Sequence, residues 1–134
     1  PDQIADDKLK FAVIIARYQD RWVFCRHKQR TTWEIPGGHR EPGEVIEETA
    51  RRELAEETGA VEADIRTLAV YEVEKDGKRS YEMLFFAKIN SLGVLSDDSE
   101  IGEIKLSDVL PENLTYPEIQ PHLFEKVQDW QHII

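Results

Sequence analysis

The sequence predicts an α+β domain in which helices cover a β-sheet, and three observations lead there. Residues 9–17 (LKFAVIIAR) form an almost unbroken apolar, β-branched run, the pattern of a central strand buried on both faces. Residues 38–60 read as loop, helix and stop. From Tyr116 onward Leu123, Val127 and Trp130 recur at helical spacing, with Phe124 widening the stripe, so a second helix packs on the sheet.

Each element follows in order. Residues 1–8 are polar and read as a loose terminus. Past the first strand, residues 18–21 read as a turn and residues 22–26 as a returning strand. Residues 27–32 (HKQRTT) make a polar, basic loop, and Trp33-Glu34-Ile35 a short strand that leads into Pro36-Gly37-Gly38. Glycine at that loop lets the backbone approach a ligand or ion closely. Pro42-Gly43 forms a second turn, Glu44 opens the helix at the positive end of its dipole, and Gly59 closes it. Residues 65–74 and 80–89 read as strands joined through the two-residue turn Asp76-Gly77. Residues 90–100 make a loop bearing Asp97, Asp98 and Glu100; residues 101–106 then form an edge strand, and Ser107-Asp108 turns toward Pro111. No repeat, low-complexity tract or linker interrupts the chain, so residues 1–134 are expected to form a single domain.

Composition narrows the function. A chain of 134 residues is long enough for one domain with a real core, and 40% hydrophobic with 33% charged residues is a globular balance. No apolar run is long enough to span a bilayer and no signal-peptide pattern opens the chain, so no membrane role and a cytoplasmic location are expected. Cys25, the single cysteine, excludes an internal disulfide and, within an apolar strand, reads as a buried thiol. The net charge of −10 argues against a long nucleic-acid track, which needs many cations against phosphate. It leaves room for a short phosphorylated ligand whose metal offsets the local field.

The chemistry concentrates in Arg52-Glu53-Leu54-Ala55-Glu56-Glu57. On a helix Glu53, Glu56 and Glu57 stand at i, i+3 and i+4 and face the same way. Like charges so placed destabilise a helix by about 0.2–0.5 kcal/mol per pair. A solvated acidic face tolerates that cost, and a hard divalent cation reverses its sign, because Mg²⁺ and Mn²⁺ prefer oxygen ligands.

Residues 38–60 resemble the Nudix box, G-x5-E-x7-R-E-U-x-E-E-x-G-U, where U is a bulky aliphatic residue. Gly38, Glu44, Arg52, Glu53, Leu54, Glu56, Glu57 and Gly59 fall at the required spacings. Ala60 is the one departure, small where the pattern wants bulk, with Val61 beside it. The resemblance implies an α/β/α sandwich with a mixed β-sheet, the box helix lying on one face. It implies Mg²⁺ (or Mn²⁺) held by Glu53, Glu56 and Glu57, with the backbone carbonyl of Gly37 or Gly38 as a further ligand. Glu53 is a ligand or the base toward the attacking water, Glu57 a ligand in the catalytic set, and Arg52 orients the glutamates. A fourth carboxylate from a distal loop or strand is expected at Glu103, with Glu100 as the competitor.

Arg26, His27, Lys28 and Arg30 lie just upstream of the glycine loop and are the nearest cations for substrate phosphates, with Arg26, Lys28 and Arg30 as the candidates. Trp33 and Tyr81 read as core aromatics, with stacking on a base as the alternative; His39, His122 and His132 read as structural or exposed. The implied activity is metal-dependent pyrophosphohydrolysis of a nucleoside diphosphate linked to another group. The small build resembles MutT-like enzymes that turn a nucleoside triphosphate into monophosphate and pyrophosphate. Ile119 stands where some of those enzymes carry a base-reading asparagine. Residues 11–44 are also similar to bacterial RNA 5′-pyrophosphohydrolases, which makes an RNA 5′ end the alternative substrate. A non-catalytic nucleotide-binding regulatory domain is the alternative of a different class. Such modules usually lose a box glutamate or arginine, and this chain keeps them all.

Overall fold

The computed structural model describes residues 8–95 and 97–131, organised as β1 (Leu9–Tyr18), β2 (Arg21–His27), β3 (Gly37–His39), α1 (Ile46–Thr58), β4 (Ala60–Lys75), β5 (Lys78–Leu92), β6 (Ile101–Ser107) and α2 (Gln120–Gln131). The strands join one sheet in the order β4-β5-β1-β2-β6, with β3 also paired to β1. The β1–β5 pairing is parallel and the others are antiparallel, so the sheet is mixed, as expected.

β1 is central for the reason its composition gives. Ala12, Ile14 and Ala16 face one side, where Ile46, Ala50 and Leu54 of α1 cover them. Val13 and Ile15 face the other, packed with Trp22, Phe24 and, from α2, Leu123 and Phe124. Strand alternation thus feeds two helical stripes, one on each face of the sheet. Complete burial of a side chain such as Leu54 is worth about 1.5–3 kcal/mol. The α/β/α sandwich is the architecture expected.

Two tight turns set the register. Gln19-Asp20 and Asp76-Gly77 both take positive φ at the two central positions, which matches the twist of the hairpins they close. β4 and β5 extend well beyond the expected strands, joined by pairing that runs from Ala60↔Leu92 to Lys75↔Lys78.

Several boundaries differ from expectation. α1 starts at Ile46 rather than Glu44: Val45 is the extended cap residue, and the Glu48 carboxylate accepts its N–H at 3.0 Å. Glu44 stays outside because its carboxylate accepts the Glu41 N–H at 2.9 Å and is gripped by Arg52. Gly59 does close the helix, with φ 80° and its N–H on the Ala55 carbonyl at 3.0 Å. Gly37 and Gly38 belong to a short strand rather than a plain loop. β3 lies so close to β1 that a Cβ on Gly37 would stand 2.6 Å from the Ala12 carbonyl oxygen. Trp33 and Glu34 make single bridges, to Leu114 and Cys25, instead of a full strand. α2 begins at Gln120, after a turn over residues 117–119. Val127 and Trp130 lie outside the described side chains, and residues 1–7 and His132 outside the described residues.

Cys25 is buried as expected, its thiol against the Glu34 carbonyl at 3.5 Å and pushed well up by burial and nearby carboxylates. Trp33 and Tyr81 are partly buried against the two core clusters, as core aromatics should be. No helix among the described residues is long and apolar enough to cross a membrane.

Candidate active site

Arg52 organises the acidic end of α1. Its Nε donates to Glu44 Oε2 at 2.6 Å and its Nη2 to Glu44 Oε1 at 3.1 Å, a two-pronged grip that a point charge could not make. Nη2 also donates to the His39 carbonyl at 3.0 Å and Nη1 to Glu53 Oε1 at 2.5 Å. Glu41 and Glu56 each lie 3.5 Å from Nη1. The grip lowers the Glu44 carboxyl to about 2, with the Glu41 N–H and Thr49 hydroxyl assisting. One guanidinium therefore ties the segment before the helix, β3 and two box glutamates together.

Glu57 is held from the other side. Its Oε1 accepts the Gly37 N–H at 2.7 Å, and its Oε2 lies 3.8 Å from His27 Nε2. Burial drives its carboxyl up to about 8 despite the Gly37 bond, helped by the charges of Glu53, Glu34 and Glu56. Burial also raises Glu53, against the pull of Arg52.

The two glycines do different work. A Cβ on Gly38 would overlap the Glu53 carboxylate, so glycine makes the room that carboxylate occupies. Gly37 points its N–H away from β1 toward Glu57, and a strand residue presents N–H and C=O on the same side. Its carbonyl therefore also points off the ladder, whereas Gly38 faces Ala12 in the phase in which Ile14 N–H donates to the Pro36 carbonyl at 2.9 Å. Of the two expected backbone ligands the geometry favours Gly37. Gly38→Ala is expected to displace Glu53 and cut turnover about 10²-fold while the thermal midpoint moves little. Steady-state kinetics beside a melting curve check this, and unchanged turnover would contradict the packing account.

Glu41, Arg52, Glu53, Glu56, Glu57, Asp98, Ser99, Glu100 and Ile101 line a cleft of about 450 Å³, six carboxylates against one guanidinium. A second, smaller pocket of about 300 Å³ adjoins it through Glu100, lined also by His27, Lys28, Gln29 and Arg30. Acid and base thus sit side by side.

The two candidates for a distal carboxylate fall in different places. Glu103 pairs across the ladder with Arg26, its carboxylate 3.5 Å from the guanidinium, and does not line the cleft; Glu100 does. Arg26 is likewise turned inward, its Nη1 donating to the carbonyls of His27 at 3.2 Å and Arg30 at 3.0 Å. It braces the basic loop rather than lining either pocket. Lys28 and Arg30 do line the second pocket, though each is tethered: Lys28 Nζ to the Asp97 carbonyl at 2.8 Å, and Arg30 Nη1 to Glu34 at 3.0 Å. Sequence reading missed Glu41, Ser99 and Glu34. Their positions depend on loop geometry and on bridges to distant residues, which no spacing rule encodes.

Among the described residues no three carboxylate, His or Cys groups are already arranged to hold a metal ion. The donor set still suits a hard divalent cation. It is oxygen only, and burial, with repulsion from neighbouring carboxylates, raises Glu57 and Glu53, a cost that such a cation would relieve. Glu53, Glu56 and Glu57, with the Gly37 carbonyl, are the residues that could hold it.

This fold and cleft define a class. The model of the NUDIX domain family matches residues 7–127, and the chain belongs to that family, as a Nudix hydrolase of phosphoric anhydride bonds. It is 37% identical over 114 residues to a Bacillus subtilis (strain 168) protein named as an 8-oxo-dGTP diphosphatase, YtkD, covering 85% of this chain and 72% of that one. The crystal structure of a Bacillus subtilis pyrophosphohydrolase matches with TM-score 0.82 and 30% identity, covering 96% of this chain and 87% of that one. An RNA pyrophosphohydrolase of Serratia proteamaculans is 35% identical over 57 residues, which is 42% of this chain and 33% of that protein.

Proposed function

We propose that this chain is a divalent-metal-dependent pyrophosphohydrolase that converts a nucleoside triphosphate and water into the monophosphate and pyrophosphate. The observation that carries this reading is the adjacency of an acidic cleft and a basic pocket with Glu100 between them. Glu53, Glu56 and Glu57 are the metal ligands we assign, with Gly37 as the backbone ligand and Glu100 as the distal one in place of Glu103. Held by these residues, Mg²⁺ or Mn²⁺ would supply positive charge to offset what develops on the phosphate. Lys28 and Arg30 receive the phosphates beyond the cleft. Glu53 keeps one oxygen clear of Arg52 and takes the role of base toward the attacking water, while Arg52 fixes its direction. The intact Arg52 network favours turnover over a purely regulatory binding role. Cytoplasm is the location we propose.

The similarity to RNA pyrophosphohydrolases supports a second reading, a triphosphorylated RNA 5′ end as substrate. With 27 Asp and Glu against 17 Lys and Arg, the net charge of −10 disfavours a strand leading away from its 5′ end. Comparing a free triphosphate with triphosphorylated RNAs of increasing length at fixed salt should give nearly constant kcat/KM beyond the first nucleotides. A steep rise with length would overturn the free-nucleotide reading in favour of the RNA end.

A further inference from the structure

His27 ends β2 where the β2–β6 ladder slips, so that Arg26 pairs with Glu103 but His27 with Ile101. The unmatched residue is Gly102 of β6, so β2 keeps its own alternation through His27. Strand alternation puts Phe24 on the α2 face and Val23 on the α1 face, and His27 falls in the phase of Val23. There its imidazole meets three carboxylates. Nε2 lies 3.6 Å from Glu34 Oε2 and 3.8 Å from Glu57 Oε2, and Nδ1 lies 4.0 Å from Glu100 Oε2.

The three carboxylates differ in how firmly they are held. Glu34 is buried, its backbone bonded both ways to Cys25 at 2.9 Å, and its Oε1 accepts from Arg30 at 3.0 Å and Thr115 at 3.3 Å. It does not line the acidic cleft, so it acts as an anchor. Glu57 has one oxygen on Gly37, and the other faces His27. Glu100 sits on the loop that Lys28 holds, the Lys28 N–H donating to the Glu100 carbonyl at 2.8 Å.

We propose that His27 is a positioning residue of the cleft: anchored by buried Glu34, it fixes the second carboxylate oxygen of Glu57 and draws the Glu100 loop toward the same site. This rests on the metal-site reading above, with Glu57 as ligand. Glu34 and Glu57 approach the same nitrogen, so the imidazole holds Glu57 beside an anchored carboxylate from outside the ligand set, as outer groups do in setting ligand geometry.

The test titrates Mn²⁺ alone, without substrate, into the full chain and its variants, followed by electron paramagnetic resonance, with steady-state kinetics in Mg²⁺ alongside. His27→Ala is expected to weaken Mn²⁺ binding about 10–100-fold and to lower kcat with KM little changed. His27→Gln, which keeps an N–H near the Nε2 position, should recover most of both. Glu34→Gln should weaken Mn²⁺ binding in the same sense, and the double variant should lose little more than either single one, because both act through one contact. Additive losses would overturn the proposal, as would a raised KM with unchanged Mn²⁺ affinity, which would make His27 a substrate contact. Glu57→Gln separates the two levels. If it leaves Mn²⁺ binding intact the metal-site reading fails, whereas if it abolishes binding and His27→Ala leaves Mn²⁺ affinity unchanged, only the positioning role fails.

Discussion

Glu57→Gln should lower kcat/KM by about 10²–10⁴-fold while the protein stays folded. The substitution keeps the shape and leaves an oxygen to accept the Gly37 N–H, but removes the charge that a cation would bind. Its effect on stability has a definite sign. The Glu57 carboxyl is raised from 4.5 to about 8 in the fold, so between those values the folded chain holds a proton that the unfolded chain releases. Metal-free wild-type stability should therefore fall as pH rises from about 4.5 through about 8, and Glu53 adds in the same direction. Glu57→Gln should flatten that fall and be the more stable protein above pH 8. Thermal melts in chelator across this range, paired with kinetics in Mg²⁺, check both halves. A variant that is active, or one that melts far below wild type at pH 7, would reject the assignment.

Arg52→Ala should be nearly as damaging to activity and, unlike Glu57→Gln, costly to the fold. It leaves Glu44 and Glu53 without their shared cation and frees the His39 carbonyl. Losing the charge-assisted bond to half-buried Glu53 costs about 1.5–3 kcal/mol. Because Arg52 holds the Glu44 carboxyl down to about 2, wild-type stability from this pair is present above the ordinary carboxylate range and lost as pH falls toward 2. The variant should lack that acid-side loss. Arg52→Lys should restore little, since an ammonium cannot span Nε and Nη2 positions at once. A destabilised variant with full turnover would show that Arg52 serves the fold alone.

What could be read from the sequence was whatever rests on local spacing. The helix face bearing Glu53, Glu56 and Glu57, the stop at Gly59, the double-faced burial of β1 and the Asp76-Gly77 turn all follow from periodicity and residue type. What could not be read depends on contacts between distant segments. Glu44 looked like a helix-opening residue, but Arg52 eight positions on pulls its carboxylate out of that role. Glu103 reads as a distal-ligand candidate in sequence, but its strand register sets it opposite Arg26, and the same pairing turns Arg26 away from both pockets. Glu34 is buried beside His27 only because Cys25, Arg30 and Thr115 converge on it across the fold. Strand register and loop closure are tertiary facts, and single-residue spacing does not carry them.

The central claim is that the box glutamates form a metal-dependent hydrolytic site. The most direct measurement follows dGTP by product analysis, first in exhaustive chelator and then with Mg²⁺ added back. The account predicts no turnover in chelator, and dGMP with pyrophosphate once Mg²⁺ returns. Turnover that survives chelation, or release of single phosphate instead of pyrophosphate, would contradict it.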